Sequence, residues 1–318
     1  MEVGKRRTTW KTLLAFATIY FVWGSTFLAI RVGVHEVPPF LLAAMRFLIA
    51  GLALYAWMIA RGEPSPTGRQ WMSASLLAVL IFVLDYGLLF WAEQRVPSGI
   101  AAVMMATIPL FMALSEIIFL GTQRLTISLW LALLIGIIGV AVLMSRSFNL
   151  GGEPIDPRGA VALIVAAMSW SIASVLTRKL PLPPSKVMSS GAQMLAGGVF
   201  LTLTAASRGE VRNFHPASVS RGAWLSLLYL IVAGSIIAFT AYVWLIHRES
   251  PMKVGTYAYV NPVVAVLVGY FLGGEALGLR VILGTVCVLI SVVMITLAPA
   301  KKPIATLPVK DAPEVVRS

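Results

Sequence analysis

Charge is scarce in this sequence: only 12% of its 318 residues are Asp, Glu, Lys or Arg, while 58% are apolar and the mean hydropathy is +0.88. Such a balance excludes an ordinary soluble domain and points to a polytopic membrane protein. Cysteine is nearly absent, since Cys287 stands alone inside an apolar run. No intramolecular disulfide can form, and the residue reads as a small core side chain. The three histidines, His35, His215 and His247, all lie near connections. There is no H-E-x-x-H for zinc, no G-x-x-x-x-G-K-[ST] for nucleotide phosphates and no G-x-S-x-G nucleophile elbow. We therefore expect no enzymatic activity, no cofactor, no metal and no pumping driven by ATP within this chain. Acidic residues are also few, 13 against 25 Lys and Arg, for a net charge of +12. The basic residues sit between apolar spans or at the tails, where membrane orientation requires them, so nucleic acid is not an expected partner.

What the chain has in quantity is long apolar runs. Ten can be marked, over 10–32, 38–60, 71–94, 98–120, 126–145, 158–179, 186–206, 222–247, 252–273 and 279–298, each able to approach or cross a bilayer as a helix. The expected fold is an all-α integral membrane protein of ten transmembrane helices lying in a lipid bilayer. Breaks between runs carry Pro, Gly or charge, as in Val37-Pro38-Pro39, Gly62-Glu63-Pro64 and Pro181-Leu182-Pro183-Pro184. Lys5-Arg6-Arg7 followed by an apolar stretch superficially resembles a signal peptide. The stretch continues to Val32 with no small-residue cleavage site, so it reads as a retained first span. Residues 299–318 are polar and read as a disordered tail. With both termini on one side, that side holds 16 Lys and Arg residues and the other 8, with Arg46 left within a span. Both termini, residues 1–9 and 299–318, are accordingly expected to be cytoplasmic.

The two halves repeat. Trp23, Arg31 and Gly51 recur 147 residues later as Trp170, Arg178 and Gly198, and Trp91, Arg95 and Pro109 recur 153 later as Trp244, Arg248 and Pro262. Two copies of five spans, 10–145 and 158–298 joined by 146–157, would make the second copy enter the membrane from the opposite face. Inverted repeats of this kind mark carriers that expose a midplane site to each side in turn. Positions alike in both halves serve as scaffold, and those that differ are free to meet an asymmetric ligand. Asp85 aligns with Ala238 and Arg46 with Gln193. By helical rise Arg46 lies roughly 12 Å deep and Asp85 about 13 Å, so the two could meet. Either they form a fixed pair or one faces a cavity, where Asp85 would hold a substrate ammonium or exchange a proton. Glu116 falls near the cytoplasmic boundary, as a snorkelling or locally paired side chain.

Aromatic residues complete the candidate site: Tyr86 and Trp91 in the third run, Trp23 and Trp170 near the middle of the first and sixth, Tyr242 and Trp244 in the eighth, and Tyr257 and Tyr259 in the ninth. A buried indole N–H needs a partner. Trp10, Trp57, Trp71, Trp130 and Trp224 are read as interfacial anchors. Pro109 and Pro262 should kink matched helices, with Asn261 beside the second to satisfy a freed backbone group or greet a polar ligand. Gly269 and Gly273 offer a close helix contact in the ninth run.

Several short motifs together resemble the drug/metabolite transporter superfamily, specifically its ten-span EamA-like branch. They are Trp23-Gly24-Ser25-Thr26-Phe27, Ala44-Met45-Arg46-Phe47, Ala106-Thr107-Ile108-Pro109, Tyr259-Val260-Asn261-Pro262 and Gly274-Glu275-Ala276-Leu277. The likeness covers about residues 10–298, with Gln123 a departure where such proteins often have Glu. It implies export or exchange of small metabolites, often amino acids, through a cavity lined by spans 1, 3, 4, 6, 8 and 9. The expectation is an inner-membrane carrier, monomeric, with a small-molecule substrate and coupling either to protons or to exchange. A passive channel or a non-transporting accessory protein is the alternative.

Overall fold

The computed structural model describes residues 10–120, 127–144, 156–177, 179–246, 248 and 257–297. Expectations placed on Gln123, Arg178, His247 and the two tails lie outside the described residues, as do the side chains of Pro109, Glu116 and Tyr259. Among the described residues there is no strand. The helices are α1 (Trp10–Val34), α2 (Pro39–Ala60), α3 (Gly68–Ala78), α4 (Leu88–Glu93), α5 (Ser98–Met105), α6 (Ile108–Leu120), α7 (Ile127–Met144), α8 (Pro157–Leu176), α9 (Lys186–Ser207), α10 (Arg221–Tyr229), α11 (Ala238–Ile246), α12 (Tyr257–Gly273) and α13 (Leu279–Leu297). Seven continuous helical stretches are long and apolar enough to cross a membrane: Trp10–Val34, Pro39–Ala60, Gly68–Glu93, Ser98–Phe119, Pro157–Leu176, Lys186–Ser207 and Arg221–Tyr242. Shorter apolar stretches occupy Trp130–Gly139, Val260–Gly273 and Leu279–Ser291.

Local sequence explains where these helices start and break. Thr67 caps α3 in a capping box, its Oγ1 accepting from Gln70 N at 3.4 Å while Gln70 Oε1 accepts from Thr67 N at 2.8 Å. Asp156, Ser185 and Ser220 cap α8, α9 and α10 through their side-chain oxygens. Pro109 lacks the N–H that the carbonyl four residues earlier would bind. The fourth run accordingly opens at Ala106–Thr107 between α5 and α6, with Thr107 Oγ1 donating to the Met104 carbonyl at 2.6 Å. Pro262, by contrast, lies inside the continuous α12. Two π-helical segments interrupt the third and eighth runs at corresponding places, Val79–Gly87 between α3 and α4 and Leu230–Ile237 between α10 and α11.

Packing across the halves is reciprocal. The most extensive contact joins α2 to α9, followed by α7 with α13, while α1 packs on α12 and α8 packs on α6. Glycines bring α2 and α9 together. A Cβ on Gly51 would lie 2.5 Å from Leu195 N, and one on Gly198 would lie 2.7 Å from Leu48 N. The repeated glycine of each half thus faces the backbone of the other, at a distance no side chain fits. Gly269 and Gly273 are likewise used within the chain, facing Glu275 and Leu28 respectively.

Carboxylates join the halves at the bundle end that carries the α1–α2 turn. Glu36 accepts from Ser220 N and Oγ at the start of α10, at 2.5 and 2.6 Å. Glu210 accepts from Leu41 N at the start of α2, at 2.9 Å, and Asp156 sits 3.5 Å from Arg95. The Ser220 hydroxyl and amide hold the Glu36 carboxyl below the usual carboxylate range, whereas burial pushes Glu210 up.

Two outcomes follow. Gly51→Val or Gly198→Val should destabilise the protein by about 1–3 kcal/mol through forced separation of α2 and α9, read as a lowered midpoint of thermal unfolding in detergent. Gly68→Ala, which meets nothing within 4 Å, should leave it unchanged. Because the folded Glu36 is more acidic than the unfolded one, its cap is complete above the ordinary carboxylate pKa and is lost as pH falls through the lower folded value. Glu36→Gln should flatten that part of the stability profile between mildly acidic and strongly acidic pH.

Candidate functional site

The interior hollow is walled by aromatic rings and interrupted by two charges. Two adjoining cavities, about 600 and 620 Å³, share Trp23, Arg46, Tyr86, Trp170 and Tyr257. Asp85 and Asn261 border the second. Gln193, Ser235 and Tyr242 border the first. The walls therefore include α2 and α9 beside the spans that the family resemblance implies, because the close α2–α9 contact brings Arg46 and its repeat counterpart Gln193 to the same space.

Arg46 and Asp85 are 2% exposed each, yet no ion pair joins them. Arg46 Nε donates instead to Ser235 Oγ at 2.9 Å, and the guanidinium lies over the rings of Phe47, Tyr86 and Phe90 at 4.8, 5.2 and 5.9 Å. Its Nη1 is left without a hydrogen-bond partner, as is Oδ1 of Asp85. The fixed pair that depth alone allows is not formed, because Ser235 and the ring faces hold Arg46 separately. Two unfilled polar atoms of opposite character thus border one cavity, a costly arrangement in the absence of a solute or water.

The rings form two groups. Trp23 meets Tyr242 and Tyr257 with centroids 5.3 Å away in each case. Tyr86 meets Phe47 at 4.7 Å and Trp170 at 6.0 Å. The indole N–H of Trp23 donates to the Gly234 carbonyl at 3.0 Å, so the partner that a buried indole requires is supplied by the second π segment. Asp85 and Tyr86 stand on the first. A π turn carries an extra residue and displaces backbone groups from the regular ladder, which is why such turns recur at functional sites.

Trp91 and Trp244 are not brought to the cavity. Each lies beneath the arginine one turn on, Arg95 over Trp91 at 3.9 Å and Arg248 over Trp244 at 4.4 Å, so their repetition reflects a matched cation–π stack. Asn261 borders the cavity, and with its amide nitrogen turned toward them it donates to the carbonyls of Tyr20 and Tyr257 at 3.1 and 3.2 Å. Gln193 donates to Ser189 Oγ at 3.0 Å. Sequence reasoning passes over Ser235 and Glu93. Ser235 could have been found only from the partner it supplies to Arg46. Glu93 is wholly buried with neither carboxyl oxygen hydrogen-bonded, and its place beside a polar connection conceals it.

Comparison with known proteins agrees with this architecture. The profile of the EamA-like transporter family matches residues 10–145 and 157–297. A relative in Escherichia coli (strain K12), named an uncharacterized inner membrane transporter, YedA, is 39% identical over 304 residues, covering 94% of this chain and 95% of the relative. Protein PecM of Dickeya dadantii (strain 3937) is 28% identical over 276 residues, 86% of this chain and 88% of that protein. A crystal structure of a chain 24% identical superposes with a TM-score of 0.58, covering 89% of this chain and 95% of the other, a likeness of fold.

Trp23→Phe keeps a ring and deletes the N–H. It should cost about 1 kcal/mol and raise amide hydrogen exchange over Leu230–Ile237 more than over α9, as measured by mass spectrometry of the reconstituted protein.

Proposed function

Because the chain belongs to the EamA-like transporter family, a family of membrane transporters, we propose that it is a secondary carrier for amino acids or closely related compounds. It exports them across the inner membrane by alternating access, with both termini cytoplasmic. The observation that carries this reading is the pair of unfilled atoms at one aromatic hollow, Arg46 Nη1 and Asp85 Oδ1. A guanidinium atom with a free donor suits a carboxylate, and an acid with a free oxygen suits an ammonium. The rings of Trp23, Tyr86, Trp170 and Tyr257 suit an apolar side chain between them.

Ten spans in two inverted copies supply the moving parts. The reciprocal packing of α1 on α12 and of α8 on α6, with α2 against α9 on the pseudo-axis, supports that reading. So do the π segments at matched places and the glycines that let each copy touch the other's backbone. Inner-membrane residence follows the name of the Escherichia coli relative. Outward direction follows the family resemblance, and Asp85 serves as the group that holds the substrate ammonium or exchanges a proton.

A thermal-shift screen of the purified protein against the common amino acids, followed by counterflow of each hit in proteoliposomes, tests the substrate class and separates a carrier from a channel. Asp85→Asn and Arg46→Gln should each weaken binding of the hit about 10- to 100-fold, the loss of one charge-assisted hydrogen bond. Folded variants that bind and exchange like the parent would overturn the assignment.

A further inference from the structure

A second set of charges lies apart from the hollow, where α1, α4 and α5 meet the turn before α13. Arg31 Nε is 3.5 Å from Glu275 Oε1, and Arg31 Nη1 donates to the backbone carbonyls of Val96 and Glu93 at 2.7 and 3.2 Å. Glu275 is fully engaged. Its Oε1 accepts from Ser98 N and Oγ at 2.7 and 2.6 Å, and its Oε2 accepts from Gly99 N at 3.0 Å, so it caps α5 from the other half of the chain. Glu93 adjoins this set, since Arg31 reaches its backbone carbonyl. Its side chain is 0% exposed and both oxygens lack a hydrogen bond.

We propose that Glu93 is a proton-carrying site and the second seat of Arg31, taken up when the turn bearing Glu275 leaves α5. A carboxyl sealed from water with no donor to either oxygen is costly to ionise until a cation faces it. As long as Glu275 neutralises Arg31, nothing draws that proton away. When the turn before α13 departs, Glu275 goes with it and Arg31, a partly buried side chain still bonded to the Val96 and Glu93 carbonyls, is left without a counter-ion. Glu93 is the acid already beside it. The O–H bond of Glu93 breaks, the proton passes to the water admitted by the parted turn, and the new carboxylate pairs with Arg31. One ion pair is exchanged for another and one proton is released for each opening of that end.

Among the described residues, the charged groups on the elements packed around Glu93 are these. From α1 it faces Arg31, and from the α12–α13 turn Glu275. At the head of α8, Asp156 is engaged by Arg95, which follows α4, and by the backbone N–H of Arg158 in the first turn of α8. The charge on α2 is Arg46, held by Ser235; that on the preceding π segment is Asp85, bordering the hollow; α5 carries none.

The proposal rests on the alternating-access reading for its second state, but its test needs no solute. Infrared spectra of the reconstituted full chain should show, in the difference between the parent and Glu93→Gln at neutral pH, the carbonyl stretch of one protonated carboxylic acid that shifts down in heavy water. In Glu275→Gln, where Arg31 has lost its partner, that band should vanish and carboxylate bands should replace it. Should Glu275→Gln fail to fold, Arg31→Gln supplies the converse, with the Glu93 acid band surviving to higher pH than in the parent. Carboxylate bands in the first difference, an unchanged acid band in Glu275→Gln, or an unchanged titration in Arg31→Gln would each overturn the assignment. An infrared signature as expected without counterflow of any amino acid would defeat the substrate reading alone.

Discussion

Polar atoms enclosed by hydrocarbon must find partners, and the backbone of this bundle meets that demand almost everywhere through helix ladders and caps. Among the described side chains, four of the five atoms whose demand goes unmet organise the rest, the fifth being Thr285 Oγ1. Arg46 Nη1, Asp85 Oδ1 and both oxygens of Glu93 are enclosed without a hydrogen bond. Each sits where elements from both halves converge. The close glycine contact between α2 and α9 is what makes such convergence possible, since it sets Arg46 against Ser235 and Gln193 of the opposite half instead of letting it snorkel to an interface.

The π segments turn that enclosure into a cavity. A regular helix through Val79–Gly87 would keep its carbonyls within the ladder. The π turn instead re-aims Asp85 and Tyr86 toward the hollow, and its counterpart presents Gly234 O to Trp23 and Ser235 Oγ to Arg46. Backbone irregularity in a membrane is tolerated where protein or a wet cavity covers it, which holds for both segments.

Much of this was legible in the residues. Apolar run lengths marked the long helices to within a few residues, and the recurrence of Gly51 as Gly198 marked two scaffold positions, though not that each meets the backbone of the other half. The need of Trp23 for a hydrogen-bond acceptor was also readable, as was the depth of Arg46 and Asp85. The acceptor itself was not, because a π turn leaves no trace in apolar periodicity. Nor could depth reveal that Arg46 lies over rings and is held by Ser235, since that depends on a partner 189 residues away. Trp91 and Trp244 misled for a physical reason: a tryptophan within a span looks the same whether it walls a cavity or lies under the arginine of the next turn. Glu93 was hidden by its position at a helix end, where an acid is ordinarily solvated.

The two halves differ where the hollow is most polar, with Arg46 answered by Gln193 and Asp85 by Ala238. A cavity built of identical copies would be two-fold symmetric and could accept a guest in either of two equivalent poses. Here a guanidinium, a carboxyl and a ring wall stand at three non-equivalent places. Three unlike contacts are what a chamber needs to tell a molecule from its mirror image.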